Sequence, residues 1–500
     1  MTTACVMVLG TSSGAGKSWI ATALCRHYAR QGLKVAPFKA QNMSNNARVV
    51  AAPGGGAGEI GSAQYFQALA ARAVPEVRMN PLLLKPETDT HSQVVLLGRV
   101  SAELSALPWR GRSERLWAPI AAALDALRAE NDVIVIEGAG SPAEINLMAS
   151  DVVNLRVARH AGARCLLVAD IDRGGAFAHL YGTWALLPEA DRARITGFVL
   201  NKFRGDAALL APAPEQLRQL TGVPTVAVVP MRFGHGLPEE DGVTGHGASR
   251  PLAPPVAAAA GERPVTRIAV VAWPRISNLD EFQPLENVPG VHLAWARSAA
   301  DLQDADWIIL PGSKATAADL AWLRARRMDT AVTAHAARGG RVLGICGGLQ
   351  MLGDGLIDPH GVEPQEGGGS GPGLGLLPLV TRFEPCKTVR CTAARFGAVT
   401  GAWSALRGVA LSGYEIHGGQ TALTTAADDQ GAREVLPGLA WQNATGNVLG
   451  VYLHGLFEDS AVLQALFGAG APSLDAVFDG LAAEIERAFT PGVLDALIAP

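Results

Sequence analysis

Short β-branched runs alternate with alanine-rich stretches of helical period along almost the whole chain, and this pattern constrains the fold more than any other feature. It is the pattern of a parallel sheet covered by helices on both faces. In the first half the reading gives strands at Ala4 to Leu9, Lys34 to Phe38, Asp132 to Ile136, Arg164 to Ala169, Gly197 to Leu200 and Thr225 to Val229. A second series holds Arg267 to Ala272, Asp306 to Leu310, Arg341 to Ile345 and Asn447 to Leu453. A chain of 500 residues is too long for one ordinary core, so two α/β domains of roughly 200 to 250 residues each are expected. The divisions fall at a phosphate-loop domain over residues 1–230, a linker over 231–264, a second α/β domain over 265–470 and a C-terminal helical segment over 471–500. The linker is rich in Gly, Pro, Ala and His, and the glycine run from Glu366 to Gly373 reads as a flexible loop on the second domain.

The first strand runs into Gly10-Thr-Ser-Ser-Gly-Ala-Gly-Lys-Ser18, a variant phosphate loop with Thr11 where the strict pattern has glycine. Backbone N–H groups of such a turn face a phosphate chain, Gly10, Thr11, Gly14 and Gly16 shape it, Lys17 sets a cation on the terminal phosphates, and Ser18 is placed to ligate Mg²⁺. Ile20, Ala23, Leu24 and Tyr28 then recur at helical spacing, with Gly32 as the C-terminal stop, so the motif sits in the strand, loop and helix context it requires. ATP and Mg²⁺ are the expected cofactors. Glu137 ends a buried strand, where ligands of open α/β sheets bind, and is the expected second Mg²⁺ anchor. Asp170, Asp172 and Arg173 end the next strand and are expected at the same cleft. Lys39, Gln41 and Asn42 follow Phe38 and are expected beside the γ-phosphate or the acceptor, while Asn201 could pair with the edge of a base.

Gly344-Ile-Cys-Gly-Gly-Leu-Gln carries a different chemistry. A cysteine between an apolar run and two glycines reads as a nucleophile on a tight strand-to-helix turn, where the helix N-terminus favours thiolate. Cys346 is the candidate nucleophile. His454, delivered by an apolar strand into a glycine turn, is the preferred base, with His417 as the competing candidate. Pro311-Gly-Ser-Lys follows another strand, and backbone N–H groups at Gly312 and Gly347 could form an oxyanion hole.

Composition excludes several classes. A net charge of −4 with interspersed signs gives no basic stripe for nucleic acid, and the apolar runs are too short to span a membrane. The opening residues read as a strand rather than a signal peptide, so a cytoplasmic protein is expected. Six cysteines show no CxxC spacing, so neither a disulfide framework nor a zinc site is indicated, and Cys5, Cys25 and Cys165 are expected to be buried.

Longer motifs carry a resemblance. The phosphate loop, Pro37-Phe-Lys-Ala-Gln-Asn-Met, Met79-Asn-Pro-Leu-Leu-Leu-Lys-Pro, Glu137-Gly-Ala-Gly-Ser-Pro-Ala-Glu-Ile-Asn and Asp170-Ile-Asp-Arg-Gly-Gly resemble the cobyric acid synthases. So do Leu310-Pro-Gly-Ser-Lys, Gly344-Ile-Cys-Gly-Gly, Ser412-Gly-Tyr-Glu-Ile-His and Tyr452-Leu-His-Gly in the second half. The resemblance implies a dethiobiotin-synthetase-like domain joined to a class I glutamine amidotransferase domain. It also implies amidation of the b, d, e and g carboxylates of adenosylcobyrinic acid a,c-diamide with L-glutamine as nitrogen source, the nucleophile mapping onto Cys346 and the histidine onto His454. Two positions depart from what the resemblance leads one to expect: Leu456 stands where many class I amidotransferases have glutamate, and Gly14 where the family usually has aspartate. The alternatives are a related amide synthetase acting on another acid such as cobyrinic acid, or a nucleotide-dependent switch with an inactive amidotransferase module.

Overall fold

The computed structural model describes residues 3–52, 54–88, 90–238, 265–363, 369–424 and 431–500, without the side chains of 109–111. Residues 239–264 of the expected linker and 366–368 of the expected glycine loop lie outside the described residues.

The apolar run Ala4–Gly10 lies inside a six-stranded sheet ordered Thr225–Pro230, Ile195–Phe203, Arg164–Asp170, Ala4–Gly10, Val133–Glu137 and Val35–Phe38. All of its pairings are parallel, so every strand ends at the same edge. That edge collects the phosphate loop, Lys39, Glu137, Asp170 and Asn201, because each follows, ends or lies in the last residues of one of these strands. Helix Lys17–Arg30 covers one face, burying Ile20, Ala23, Leu24 and Tyr28, and Gly32 stands just beyond its end at φ 84°.

Residues 41–100 do not continue the α/β alternation. They form a small mixed sheet of Gln41–Met43, Leu82–Pro86, Ser92–Leu96 and Arg99–Val100, a hairpin of Ala47–Ala51 with Ala57–Gly61, and the helix Ser62–Ala70.

The second sheet has seven strands, ordered Val291–Ala296, Thr266–Val271, Trp307–Leu310, Arg341–Ile345, Val448–Val451, Ala440–Gln442 and Arg433–Leu436. The first five run parallel and the last two are antiparallel additions. A long antiparallel pair, Leu379–Arg395 with Ala410–Leu423, reaches from this domain onto the hairpin of the first. There Ala47, Leu83 and Val95 pack with Ile416, and the buried Glu59 carboxylate takes Lys85 and, at 2.6 Å, Lys387. Burial opposes the Glu59 charge, but the two ammonium groups outweigh it and hold the carboxyl at about 2.

The C-terminal helices Leu474–Ala488 and Val493–Ile498 return to the first domain. Phe478, Leu481 and Ile485 are buried against the cluster containing Leu24 and Tyr28, each contributing about 1.5–3 kcal/mol of apolar burial. Arg26 pairs with Asp475 at 2.7 Å and Asp479 at 2.8 Å, and the Tyr28 hydroxyl donates to the Leu494 carbonyl at 2.9 Å. The chain thus closes on the helix that follows the phosphate loop.

Candidate functional site

At the edge of the first sheet the phosphate loop turns through left-handed Gly14 (φ 71°) and Gly16 (φ 95°) before Lys17 begins the helix. A Cβ on Gly16 would lie 2.0 Å from Asn201 Nδ2, so glycine is the residue that lets this amide pack beneath the loop. The amide donates to the Ala15 carbonyl at 2.9 Å. Asn201, expected to pair with the edge of a base, lines the cleft and spends one amide hydrogen on the loop backbone. Lys17 Nζ donates to the carbonyls of Ser12 at 2.9 Å and Gly140 at 3.1 Å, which aims the ammonium across the mouth of the loop. Lys202 braces the same loop from outside, donating to Gly14 O at 2.8 Å and pairing with Asp170 at 3.2 Å.

Glu137 is buried at the tip of its strand and gathers three donors. Ser18 Oγ donates to Oε1 at 2.9 Å, Lys39 Nζ to Oε1 at 2.8 Å and Gln67 Nε2 to Oε2 at 2.5 Å. Burial opposes its charge, yet Lys39, Gln67 and Lys17 together hold the carboxyl below the usual range. A hydroxyl and an ionised carboxylate side by side are oxygen donors of the kind Mg²⁺ takes when phosphate oxygens and water complete its octahedron.

These groups open onto a cleft of about 1380 Å³. Gln41, Asn42, Asp170, Asp172 and Arg173 line it as well, and Leu279, Asp280 and Trp295 of the second domain close one side.

In the second domain Cys346 links strand Arg341–Ile345 to helix Gly347–Leu352 with φ 48° and ψ −104°, a strained conformation for a residue with a side chain. Gly348 makes the turn possible, since a Cβ there would lie 1.9 Å from the Leu310 carbonyl oxygen. His454 is buried beside the cysteine, whose thiol donates to the Ile416 carbonyl at 3.9 Å. Its Nδ1 meets Glu281 Oε1 at 2.9 Å, and Glu281 Oε2 accepts the Gly455 N–H at 2.9 Å. Burial alone would keep the imidazole neutral, but Glu281 and the sulfur of Cys346 outweigh it and raise its pKa to about 10. The arrangement places a protonated imidazole between the Glu281 carboxylate and the sulfur of Cys346.

His417 follows Ile416, whose carbonyl the thiol meets, but its ring has other partners. Its Nδ1 meets the Gly419 carbonyl at 2.8 Å, its Nε2 meets Glu415 at 3.1 Å, and its ring stacks on Tyr452 at 4.0 Å. Both ring nitrogens are occupied, so the ring is placed for packing rather than proton transfer. Gly312 lies against His454, where a Cβ would come 2.8 Å from Cε1, and a Cβ on Gly347 would come 2.7 Å from Ser313 N. The Gly312–Ser313 turn therefore packs between the His454 ring and the residue that follows Cys346.

Comparison with known proteins places both halves. Residues 6–240 match the CobQ/CobB/MinD/ParA nucleotide binding domain, and residues 267–462 match the CobB/CobQ-like glutamine amidotransferase domain. A protein from Acidovorax ebreus (strain TPSY) named cobyric acid synthase is 74% identical, covering 99% of this chain and 99% of its own. The chain belongs to the cobyric acid synthase family. Other cobyric acid synthases share its length: that of Acidovorax sp. (strain JS42) is 74% identical over 99% of this chain and 98% of its own, and that of Variovorax paradoxus (strain S110) is 71% identical over 100% of both.

Two functional neighbours escape sequence reasoning in this cobyric acid synthase family member. Glu281 supplies the carboxylate that Leu456 cannot, yet it precedes His454 by 173 positions and belongs to a 3-10 turn, Leu279–Phe282, with no motif spacing to the histidine. Gln67 lies on helix Ser62–Ala70, within the segment whose sequence carries no α/β signal. The only cue for Glu281 is chemical: a buried acid between apolar Leu279 and Phe282 needs a partner.

Proposed function

We propose that the chain converts adenosylcobyrinic acid a,c-diamide to adenosylcobyric acid, amidating the b, d, e and g carboxylates with ATP and with ammonia taken from glutamine. The observation that carries this reading is the shared cleft. The phosphate loop and Glu137 form its floor, and one wall is the segment of the second domain that also supplies Glu281 to His454.

A carboxylate resists ammonia because its charge repels the nucleophile and its oxygen is a poor leaving group. Lys17 and the loop amides stabilise the charge as the substrate carboxylate oxygen attacks the γ-phosphorus, ADP departs and an acyl phosphate forms. Ser18 and Glu137 would hold Mg²⁺, which supplies charge neutralisation on the phosphates. In the second domain the Cys346 thiolate attacks the side-chain amide carbon of glutamine, with the N–H of Gly347 receiving the oxyanion, since the Gly312 N–H expected beside it faces Ser277 in the antiparallel pair. His454 gives its proton to the departing nitrogen, and water then cleaves the glutamyl thioester to glutamate. Ammonia displaces phosphate from the acyl phosphate to give the amide. Met43, Leu147 and Phe233 stay exposed on the cleft lining and offer an apolar bed for the corrin face, while Arg173 faces its peripheral carboxylates. Among the described residues no helix is long and apolar enough to cross a membrane.

Mass spectrometry of adenosylcobyrinic acid a,c-diamide, incubated with the protein, Mg-ATP and glutamine labelled with ¹⁵N on its side-chain amide, tests the proposal. Stepwise label ending in the hexa-amide is expected. Glutamine hydrolysis without label in the corrinoid would exclude this acceptor.

Glu281→Gln tests the imidazole's partner. The amide cannot stabilise an imidazolium as the carboxylate does, so glutamine hydrolysis should fall about 100-fold. The sign of the pH effect follows from the raised imidazole pKa: activity that needs the protonated ring is lost as pH rises through about 10, and without Glu281 this alkaline limb moves to lower pH. A pH–rate profile of glutamine hydrolysis with an unmoved alkaline limb would contradict the role.

A further inference from the structure

The five residues from Ser277 to Glu281 take their partners from both domains. Ser277 pairs with Gly312, the glycine that lies against the His454 ring. Asn278, in a left-handed conformation at φ 53°, accepts the Ala47 N–H at 2.8 Å on its Oδ1. The Leu279 N–H donates to Asn46 Oδ1 at 3.0 Å, and Asp280 pairs with Arg48. Glu281 then holds His454. Asn46, Ala47 and Arg48 belong to the nucleotide domain, at the start of its hairpin strand Ala47–Ala51.

We infer that segment 277–281 is a strap through which the nucleotide domain positions the imidazole of the thiolate site, with Arg48 as the positioning residue.

Three observations support it. Adjacent Cα atoms are fixed about 3.8 Å apart, so Asp280 cannot follow Arg48 without carrying Glu281 with it. Arg48, Asn278, Asp280 and Glu281 are all at least 97% buried, which leaves the strap little room to move independently of either domain. A second contact converges on the same ring: the Arg48 guanidinium lies 5.1 Å from the Tyr414 ring, which stacks on His454 with centroids 5.4 Å apart. Arg48 also reaches Glu458 Oε1 at 2.5 Å, three positions after Gly455, whose N–H Glu281 binds. A guanidinium held by two carboxylates and stacked on a ring fixes direction as well as distance, which an ordinary surface pair does not. Leu279 and Asp280 meanwhile line the cleft at the phosphate site, so one short segment borders both reaction centres.

The inference rests on the reading of Cys346 as a glutamine-hydrolysing nucleophile, so hydrolysis by the native chain is measured first, and its absence would remove that reading. With it present, Arg48→Met keeps much of the side-chain volume and deletes the charge. The expected result is at least a tenfold fall in kcat for glutamine hydrolysis, KM for glutamine within about threefold of native, and ammonia-supported amidation within about twofold. An unchanged kcat for glutamine hydrolysis overturns the inference, and so does an equal loss of ammonia-supported amidation in protein with an unchanged melting temperature. If Arg48→Met does not fold, Asn46→Leu carries the same test by deleting the acceptor of the Leu279 N–H. The same separation of kcat from KM supports the strap, and an unchanged kcat overturns it.

Discussion

Replacing Cys346 by alanine is expected to lower glutamine-supported amidation by about 10⁴-fold or more while ammonia-supported amidation stays within about twofold of native. The size of the first effect follows from chemistry. No thioester can form, and neither His454 nor the glycines around it can substitute for a missing nucleophile. The second effect follows from location. Cys346 lies at the end of a strand in the second sheet, whereas Lys17, Ser18 and Glu137 occupy the edge of the first, so the exchange removes nothing from the phosphate site. Alanine keeps the Cβ that the elbow already accommodates at φ 48° and removes one sulfur atom from a buried position, a stability loss of about 1 kcal/mol. Measuring both nitrogen donors on one preparation, with a thermal melt as the folding control, checks the result. Loss of ammonia-supported activity in folded protein would mean that the two reactions are not divided between the domains as proposed.

How much of this was legible in the sequence depended on whether the information was local. The parallel strands of the first domain announced themselves through apolar runs ending in glycine or a polar residue, and their boundaries differ from expectation by a few residues at most: Gly197 to Leu200 became Ile195–Phe203, for instance. Because parallel strands share one edge, Glu137 could be placed near Ser18 although 119 residues separate them. The segment 41–100 was illegible because short antiparallel strands carry too few residues to show a period, and their register depends on packing against Leu379–Arg395. The return of the C-terminal helix to Lys17–Arg30 was hidden for the same reason, since an amphipathic helix shows that one face is buried but not by which partner. His454 is preferred over His417 because an apolar strand delivers it into a glycine turn, whereas what each ring nitrogen touches is encoded by no spacing. Glu281 shows the limit most clearly. Its role depends on tertiary folding within the second domain, so the residue that supplies a carboxylate to His454 comes from the opposite end of that domain.

Lys17→Met should give the complementary result, a loss of about 10³-fold or more in amidation with either nitrogen donor while glutamine hydrolysis at Cys346 persists within a few-fold. Methionine keeps the hydrocarbon stem, which packs so closely on Gly10 that a Cβ there would lie 3.0 Å from Lys17 Cδ, and it deletes the ammonium. What disappears is the cation that bridges the Ser12 and Gly140 carbonyls at the loop mouth and stands ready for the terminal phosphates. The loop itself should survive, since Asn201 and Lys202 hold its backbone from the other side. A weakened charge clamp acts most strongly where negative charge builds up, on the phosphoryl group in transit, so kcat should fall further than ATP affinity. Glu137 provides a direct check on the electrostatics. Burial works against its ionised form, and Lys39, Gln67 and Lys17 oppose that penalty in turn, so removing Lys17 should raise its pKa while Lys39 and Gln67 keep it anchored. Titrating ATP-dependent amidation with ammonia as donor, with glutamine hydrolysis followed in parallel, separates the cases. Native amidation by Lys17→Met would refute the assignment of phosphoryl transfer to this loop, whatever its resemblance to one.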